Sequence, residues 1–399
     1  MRGNQKYDII VVGGGPAGSL AAHTAAEAGI SVLLLEKDPE IGCPVRCAEA
    51  IGEDVLQEFF PQDFGQHWIS ASIKRFKFVA PDGTEIYPRV DIRGYVLDRK
   101  HFDADLAARA AKSGAAIKTG ANVTGLLFDG GKVSGVKCQI DGSETEIKGQ
   151  VIIAADGVES RLGRWAGIST SVALRDMESC YQVTLGNLPV EQDMCVFYFS
   201  QTDFPGGYAW IFPKGEDRAH VGLGIAGNQI HGISPEERLN KFIERYLPGA
   251  PCLSVSIGGV PCANRPSRIS GAGILLAGDA ACQTNPISGG GIAGAMVGGR
   301  MAGQVAAEAV LKGNVSEKFL NRYEKMWDNR VGRNQRLYYK IKLAIQKLSD
   351  QDLNETARAI QRLPQKQQTL IKIFQTALKY KPALVLEVAK LFSPFSREA

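Results

Sequence analysis

The N-terminal part of the chain alternates continuous apolar runs with glycine-rich breaks. Residues 7–12 form a mostly β-branched run, which is typical of a strand buried on both faces. The glycine-rich stretch 13–18 follows, then an alanine-rich helix to about Ala28 and a second apolar strand over 31–35 that ends at Glu36. This order predicts a βαβ unit whose first turn carries the glycines.

Later patterns predict sheet and then helix. Alternating positions over 68–98 flank a turn at 81–83 and indicate a hairpin, whereas residues 100–113 have helical periodicity. The remaining expected elements are a hairpin around 129–131, strands at 151–154, within 178–225 and at 273–277, a long helix over about 290–311, and a helical pattern from 316 onward that Pro364, Pro382 and Pro394 interrupt.

The composition is that of an ordinary globular protein, with 399 residues, 44% hydrophobic and 22% charged. Because no window approaches the roughly 18 apolar residues of a spanning helix and no signal peptide is visible, we expect a soluble cytoplasmic protein. The eight cysteines are scattered and only Cys43 and Cys47 are close, so neither a disulfide framework nor a metal site is expected.

Charge is unevenly distributed along the chain. Residues 321–399 carry 16 Lys and Arg against 7 Asp and Glu, so this part has a net charge of +9 and the rest about −5. The basic part is either a solvated helical surface or a face for anionic phospholipid headgroups, which would place the protein peripherally at the cytoplasmic membrane face. It lacks aromatic interleaving, and no nucleic-acid partner is expected.

The glycine spacing has a chemical explanation. Gly13 and Gly15 let backbone amides approach a pyrophosphate, and Gly18 lets the helix pack close to its strand. Glu36, at the end of the second strand, can accept hydrogen bonds from both ribose hydroxyls and would repel a 2′-phosphate. Together these residues predict a dinucleotide site.

Two later segments resemble the other signatures of the large FAD-dependent group that includes p-hydroxybenzoate hydroxylase. They are 151–157, which ends in Asp156-Gly157, and 275–281, which contains Asp279 and leads to glycines 289–291. An Asp after a buried strand can bind ribityl hydroxyls, and the helix start at Gly291-Ile292 would place amides near the flavin edge that becomes negative on reduction. FAD is therefore the expected cofactor.

Residues 41–50 and 205–215 look like hallmarks of the geranylgeranyl reductase family, in its archaeal-type branch that acts on glycerophospholipids. The resemblance covers about residues 5–330. It implies FAD contacts, through backbone or side chain, at Ala17, Glu36, Cys47, Ala48, Ala50, Arg99, Val123, Asp279, Gly291 and Ile292. The further candidate cofactor-binding residues are Gly13, Gly15, Gly18, Arg46 and Asp156.

The expected architecture is α/β, with a Rossmann-type FAD-binding domain formed by 1–170 and 260–315. An inserted antiparallel β-sheet substrate domain would span 171–259, with part of 68–98 as a further candidate member. Residues 316–399 would form a C-terminal helical region that caps the substrate cavity and opens toward a bilayer, with the apolar stretch 383–386 as one contact.

The resemblance implies reduction of isolated carbon–carbon double bonds by hydride from flavin N5 together with protonation. An alternating strand would present Tyr208 and Trp210 to one face, followed by Phe212, and in the family this segment lines the isoprenoid cavity. The same pattern alone is also typical of core. The proton donor is open between Cys47, reduced flavin and ordered water.

Several alternatives stay open at this point. Cys43 and Cys47 could form a redox pair, although Pro44 favours an irregular loop. A hydroxylase or halogenase of the same fold is one rival, and residues 210–213 match the halogenase Trp-x-Trp-x-x-Ile-Pro segment only partly. A non-catalytic flavin-bound lipid-binding protein is another. The electron donor could be a nicotinamide, a ferredoxin or a deazaflavin.

Overall fold

The structure is a computed structural model that describes residues 6–61, 66–90 and 93–379. The strands are β1 Lys6–Val12, β2 Val32–Leu35, β3 Ala50–Gly52, β4 Ile69–Ile73, β5 Arg75–Val79, β6 Glu85–Ile86, β7 Gly94–Leu97, β8 Ala116–Lys118, β9 Ala121–Asp129, β10 Lys132–Ile140, β11 Ser143–Ala154, β12 Met177–Leu185, β13 Met194–Tyr198, β14 Tyr208–Pro213, β15 Ala219–Ala226, β16 Cys252–Pro261, β17 Ser270–Gly271 and β18 Ile274–Leu276.

The helices are α1 Pro16–Glu27, α2 Glu53–Phe59, α3 Arg99–Lys112, α4 Arg161–Trp165, α5 Pro235–Tyr246, α6 Ile292–Leu311, α7 Glu317–Leu320, α8 Arg322–Trp327, α9 Arg333–Ile345, α10 Asp350–Gln361 and α11 Leu370–Lys379. A π-helical turn, Asp328–Gly332, joins α8 to α9. The predicted apolar stretch 383–386, with Pro382 and Pro394, lies outside the described residues.

The chain packs as two units. The first comprises 1–45, 99–172 and 261–336, and the second comprises 46–98, 173–260 and 337–399. Packing therefore groups 46–98 with the second unit, where the predicted domains had placed most of it with the first. It also divides the predicted C-terminal helical region at residue 336.

The first unit is built on an eight-stranded sheet of order β17-β18-β11-β1-β2-β8, to which β10 and β9 are added beside β11. Strands β18, β11, β1, β2 and β8 run parallel, whereas β9, β10 and β11 form an antiparallel meander. Ile9, Ile10 and Val11 have no exposed surface, which confirms that β1 is covered on both faces.

Two helices of this unit pack through glycines. A Cβ added at Gly299 of α6 would lie 2.1 Å from the Ala17 carbonyl oxygen, and one at Gly303 would lie 2.4 Å from that of Ala21. Only glycine permits this approach of α6 to α1, because a side chain would meet backbone atoms. The contact holds the middle of α6 against the first half of α1.

The second unit contains a seven-stranded sheet of order β16-β12-β15-β14-β13-β5-β6 and a three-stranded sheet of order β3-β7-β4. In the larger sheet β12, β15, β14 and β13 pair antiparallel, β5 joins β13 in parallel, and β6 closes a hairpin with β5. The predicted turn at 81–83 connects that hairpin, with Gly83 at φ +84°.

Both faces of the seven-stranded sheet are covered by other elements. One face packs on α5 through Leu239 and Phe242. On the other face, Trp210 and Phe212 pack in a cluster with residues of the three-stranded sheet such as Val96. The two faces follow the alternation of side chains along each strand.

The expected fold class is confirmed. The predicted helices over 100–113 and 290–311 correspond to α3 and α6, and the β-rich region within 178–225 contains four strands. The helical pattern after 316 continues through α11, whose last residue is Lys379.

Candidate functional site

The turn between β1 and α1 has the shape that the glycine spacing predicts. Gly13 has φ +105°, and a Cβ there would lie 2.2 Å from the carbonyl oxygen of Ala155. A Cβ at Gly18 would lie 1.8 Å from the Gly13 oxygen, whereas no described atom lies within 4 Å of one at Gly15, the residue before α1. The turn therefore packs against the Ala155 backbone at Gly13 and is open at Gly15, before the start of α1. An open helix start of this kind suits a diphosphate.

Glu36 lies directly over this turn. Its Oε2 accepts a hydrogen bond of 2.6 Å from the Gly14 amide, and its Oε1 accepts one of 2.9 Å from the amide of Asp38. These bonds hold the carboxylate at the end of β2. Each oxygen has a second lone pair, so the group can also accept from ribose hydroxyls.

The turn after β18 brings together several predicted cofactor residues. Gly278 packs against Ala17, and Asp279 Oδ1 lies 3.2 Å from the position of a Cβ on Gly291 at the start of α6. Burial raises the pKa of Asp279 to about 6, against the opposing charge of Arg99. The Asp279 carboxyl lies beside the start of α6, a 20-residue helix that begins with small residues. This position fits the roles at the ribityl chain and the flavin edge that the family resemblance implies.

Arg99 begins α3 and is mostly buried. It donates through Nε and Nη2 to both oxygens of Asp103, at 2.7 and 2.6 Å. This bidentate pair fixes the guanidinium, and the Arg99 side chain is 16% exposed. Val123 lies in β9 with 7% of its surface exposed, so a contribution through its backbone is the one available to it.

Asp156 follows β11, and the two oxygens of its carboxylate differ in their hydrogen bonding. Its Oδ2 accepts a hydrogen bond of 3.0 Å from the Leu162 amide, while Oδ1 is buried and has no hydrogen-bond partner among the described residues. Burial raises its pKa, although the Leu162 amide opposes this. Because buried acceptors are normally satisfied, Oδ1 is suited to a hydroxyl donor of a ligand.

The segment that carries Cys47 belongs to the second unit. Arg46 and Ala50 are exposed, Cys47 and Ala48 are half-buried, and no helix covers 43–49, as Pro44 suggested. The Glu49 amide donates to the Cys47 sulfur at 3.2 Å, and Gln182 Nε2 donates to its carbonyl oxygen at 3.0 Å. None of the eight cysteines, each within the described residues, forms a disulfide.

A buried ionic cluster beside Cys47 was not foreseen from the sequence. Glu49 is 2% exposed and its carboxylate contacts His220 and Lys214, the latter at 2.5 Å. Although burial opposes ionisation, the hydrogen bonds and charges of His220 and Lys214 hold the pKa of Glu49 below its usual value. Lys214 also donates to the Leu97 carbonyl oxygen at 2.6 Å, so the cluster ties β7 to the end of β14.

Aromatic side chains line one face of the larger sheet, as the alternation in β14 predicts. The ring of Trp210 lies 5.9 Å from that of Tyr208 and 6.3 Å from that of Phe212. We call the aromatic face the set formed by these rings and their neighbours on β5 and β13, namely Phe76, Phe78, Phe197, Tyr208, Trp210 and Phe212.

Exposure differs within this aromatic face. Trp210 and Phe212 are buried against the three-stranded sheet, whereas Tyr208 is half-buried. Trp210 Nε1 donates to Gln182 Oε1 at 3.0 Å, and its ring occupies the space that a Cβ on Gly222 would need, 2.5 Å away. Phe212 thus resembles core, while Tyr208 is the more accessible of the three predicted cavity residues.

Among the described residues, no group of three or more His, Cys, Asp or Glu side chains could hold a metal ion. Within the same part of the chain, no helix combines the length and hydropathy needed to cross a bilayer.

The fold and the first unit's turns define an FAD-dependent oxidoreductase. The sequence matches the family model described as FAD dependent oxidoreductase over residues 8–203, and the one described as geranylgeranyl reductase catalytic domain over 176–260. It is 41% identical over 97% of its length to a digeranylgeranylglycerophospholipid reductase of Methanocella arvoryzae, of which 99% is covered. A Methanosarcina acetivorans protein of the same name is 40% identical, with 98% of each chain covered. The chain belongs to the geranylgeranyl reductase family.

Solved structures agree. A geranylgeranyl bacteriochlorophyll reductase-like protein from Thermoplasma acidophilum superposes with a TM-score of 0.91 at 34% identity, covering 98% of this chain and 100% of that one. A flavin-dependent brominase reaches a TM-score of 0.73 at 19% identity, with 97% and 99% covered. The brominase shares the fold alone, and this likeness gives no support to the halogenase alternative.

Proposed function

We propose that this protein reduces the isolated carbon–carbon double bonds of geranylgeranyl chains, with FAD as its cofactor and archaeal-type glycerophospholipids as the carriers of those chains. The match to the geranylgeranyl reductase catalytic domain over residues 176–260 carries the proposal. This range contains β12, which has polar side chains, and β14, which has aromatic ones. The relatives named digeranylgeranylglycerophospholipid reductase support the lipid carrier.

The chemistry follows from the substrate. An isolated alkene has no carbonyl group to polarise it, so a hydride must be accompanied by a proton. FAD, when bound and reduced, supplies the hydride. The chain's own residues must bind the cofactor, hold an apolar chain and provide the proton.

Each task has candidate residues. We infer that the glycine turn and Glu36 hold the dinucleotide, with Asp156 and Asp279 on the ribityl chain. The half-buried rings of the aromatic face, Tyr208 among them, would contact the polyene, because aromatic faces and apolar chains pack without desolvating polar groups. Trp210 would be a rigid border of that surface, fixed by its hydrogen bond to Gln182.

A peripheral membrane contact is part of the proposal. The substrate lipid resides in a bilayer, and the C-terminal part of the chain is strongly basic. Exposed cations in the described part of this region include Lys347, Arg362 and Lys366. The electron donor stays open between a nicotinamide, a ferredoxin and a deazaflavin.

The deciding experiment incubates dithionite-reduced holoprotein with an unsaturated digeranylgeranyl phospholipid and follows lipid mass. We expect stepwise gains of two hydrogen atoms per double bond, and none with oxidised holoprotein. Tight lipid binding without any mass gain would instead identify a lipid-binding flavoprotein. Oxygen-dependent consumption of NADPH on adding small phenols would favour a hydroxylase.

A further inference from the structure

A second buried ionic group lies in the second unit, at the start of β12. Lys342 of α9 is 4% exposed, and its Nζ lies 3.6 Å from Asp176 Oδ1 and 3.4 Å from Glu178 Oε1. Asp176 and Glu178 are themselves 5% and 8% exposed. Two carboxyl groups therefore share one ammonium away from solvent.

This arrangement favours a bound proton, because Lys342 is a buried cation whereas the side chain of Arg175, the cation on the other side of Asp176, is 62% exposed. An uncompensated buried charge is costly, so the trio is best accommodated when one of the two carboxyls is neutral. Asp176 accepts a hydrogen bond of 2.9 Å from the Tyr339 hydroxyl, and Arg175 Nε lies 3.6 Å from its Oδ2. These contacts stabilise the anion at Asp176.

Glu178 has much weaker support for a negative charge. Its Oε2 is buried and has no hydrogen-bond partner in the described part of the chain; Asp176 Oδ1 shares this property, but the other oxygen of Asp176 accepts from the Tyr339 hydroxyl. Burial raises the pKa of Glu178 to about 7, with Lys342 opposing and Asp176 reinforcing the rise. Glu178 therefore holds the proton of the trio below about pH 7.

The other titratable group near Glu178 on its own strand is Cys180, whose pKa burial raises to about 12, so it is neutral. The facing positions on β15 are Gly224 and Ala226, which do not titrate. Tyr208 begins the adjoining β14. The charge state of Glu178 is thus set by its burial, together with Lys342 and Asp176.

The position of Glu178 relates it to the proposed chemistry. Side chains alternate along β12, so Glu178, Cys180 and Gln182 share the side of the sheet on which Trp210 lies. Oε2 of Glu178 is 3.3 Å from where a Cβ on Gly207 would stand, directly before Tyr208. The Glu178 carboxyl is thus next to the backbone of Gly207, which carries no side chain, at the edge of the aromatic face.

We propose that Glu178 is the general acid that protonates the alkene. The inference rests on the proposed function. The π electrons of the double bond take the Glu178 proton at one carbon and form a C–H bond. The adjacent carbon would receive the hydride that bound, reduced FAD supplies, which accounts for the two electrons that the alkene gains. Glu178 is left as a carboxylate beside Lys342 and regains a proton from water before the next double bond.

The test is a single turnover of holoprotein whose FAD has been reduced beforehand with dithionite. Glu178→Gln keeps the shape but cannot donate a proton, and we expect a loss of at least about 100-fold in the rate of lipid mass gain. Glu178→Asp should retain part of that rate. Glu236→Gln, an exposed acid in the first turn of α5, is the matched control and should keep the wild-type rate.

The pH dependence gives a second signature. The donor must be protonated, so the wild-type rate should be full at acidic pH and fall as pH rises through about 7. This limb should be missing from the residual rate of Glu178→Gln. Lys342→Met, which removes the charge that lowers the Glu178 pKa, should move the limb to higher pH.

An infrared measurement reads the proton without turnover. Wild-type holoprotein should show the carbonyl band of a buried neutral carboxyl that disappears with a midpoint near pH 7, and Glu178→Gln should lack this band. Lipid affinity and the rate of FAD reduction should be unchanged in Glu178→Gln.

Three outcomes would overturn the proposal: a wild-type rate and pH limb in Glu178→Gln, an unchanged infrared band, or a loss of lipid affinity that accounts for the whole loss of rate. Failure of wild-type protein to change the mass of any lipid would instead refute the proposed function itself.

Discussion

Gly15 and Gly18 lie one helical turn apart, and their surroundings differ. Gly15 has φ −72° and opens to space in which no described atom lies within 4 Å of an added Cβ. At Gly18 the same Cβ would lie 1.8 Å from the Gly13 carbonyl oxygen, a backbone atom that cannot rotate away. Packing therefore requires a glycine at Gly18, and we propose that a bound diphosphate requires the one at Gly15.

We therefore expect opposite results from two alanine variants. Gly18→Ala should destabilise the apoprotein by about 1–3 kcal/mol, because overpacking forces the backbone to move. Gly15→Ala should leave the urea midpoint of the apoprotein unchanged and weaken FAD binding, measured by flavin fluorescence. Equal loss of stability in both variants would contradict the assignment of Gly15 to the diphosphate.

At the scale of elements, Glu49, the residue before β3, connects that strand to β14 and β15. Its partners Lys214 and His220 lie at the end of β14 and within β15. Removing one member of a buried charge cluster leaves the others uncompensated, which is why such changes are strongly destabilising.

Glu49→Gln should lower the free energy of unfolding by about 3 kcal/mol at pH 7. The folded-state pKa of Glu49 is lowered, so its contribution is complete above the ordinary glutamate pKa of about 4.3 and is lost as pH falls through the lower folded value. The difference from wild type should therefore persist down to that range and shrink only in more acidic solution.

Urea unfolding at a series of pH values measures this difference. Glu40→Gln is the control, since Glu40 pairs with Lys100 between two exposed side chains, and it should unfold like wild type. A Glu49→Gln difference that grows as pH falls would contradict a lowered pKa for Glu49 in the folded state.

Elements with local signals could be predicted from the sequence. The glycine turn, Glu36 and the alternation around Trp210 lie within short segments, and their chemistry is visible in spacing alone. The ionic clusters could not be predicted, because Glu49 meets His220 across 171 residues and Asp176 meets Tyr339 across 163. The one sequence signal for Glu178 is an acidic residue in a strand whose alternate positions are Cys180 and Gln182.

At the scale of the whole molecule, the chain passes between its two packing units five times. The order of the FAD motifs predicted strands of one nucleotide-binding fold, and the strands before these motifs, β1, β11 and β18, lie in one sheet. Within 46–98, the sequence suggested only part of 68–98 as a candidate member of the substrate domain. β5 pairs in parallel with β13, where Arg75 faces Met194, and no local pattern marks so distant a partner.

The charge asymmetry of the chain leads to a prediction about membranes. If the basic C-terminal part contacts anionic lipid, charge reversal there should reduce binding more than the same reversal elsewhere. Lys347→Glu, Arg362→Glu and Lys366→Glu form the test triple, and Lys37→Glu, Lys74→Glu and Lys241→Glu form the control triple, all at exposed positions. Both triples change the net charge equally.

Flotation with phosphatidylcholine vesicles, with and without phosphatidylglycerol, measures the binding. Each cation near an anionic surface contributes about 1 kcal/mol, so the test triple should lose at least about tenfold in affinity for the anionic vesicles, and salt should weaken the wild type likewise. The control triple should lose less, because its positions lie outside the basic part of the chain. Equal losses in the two triples would show that net charge alone governs binding, and wild-type flotation that ignores both salt and phosphatidylglycerol would remove the electrostatic contact altogether.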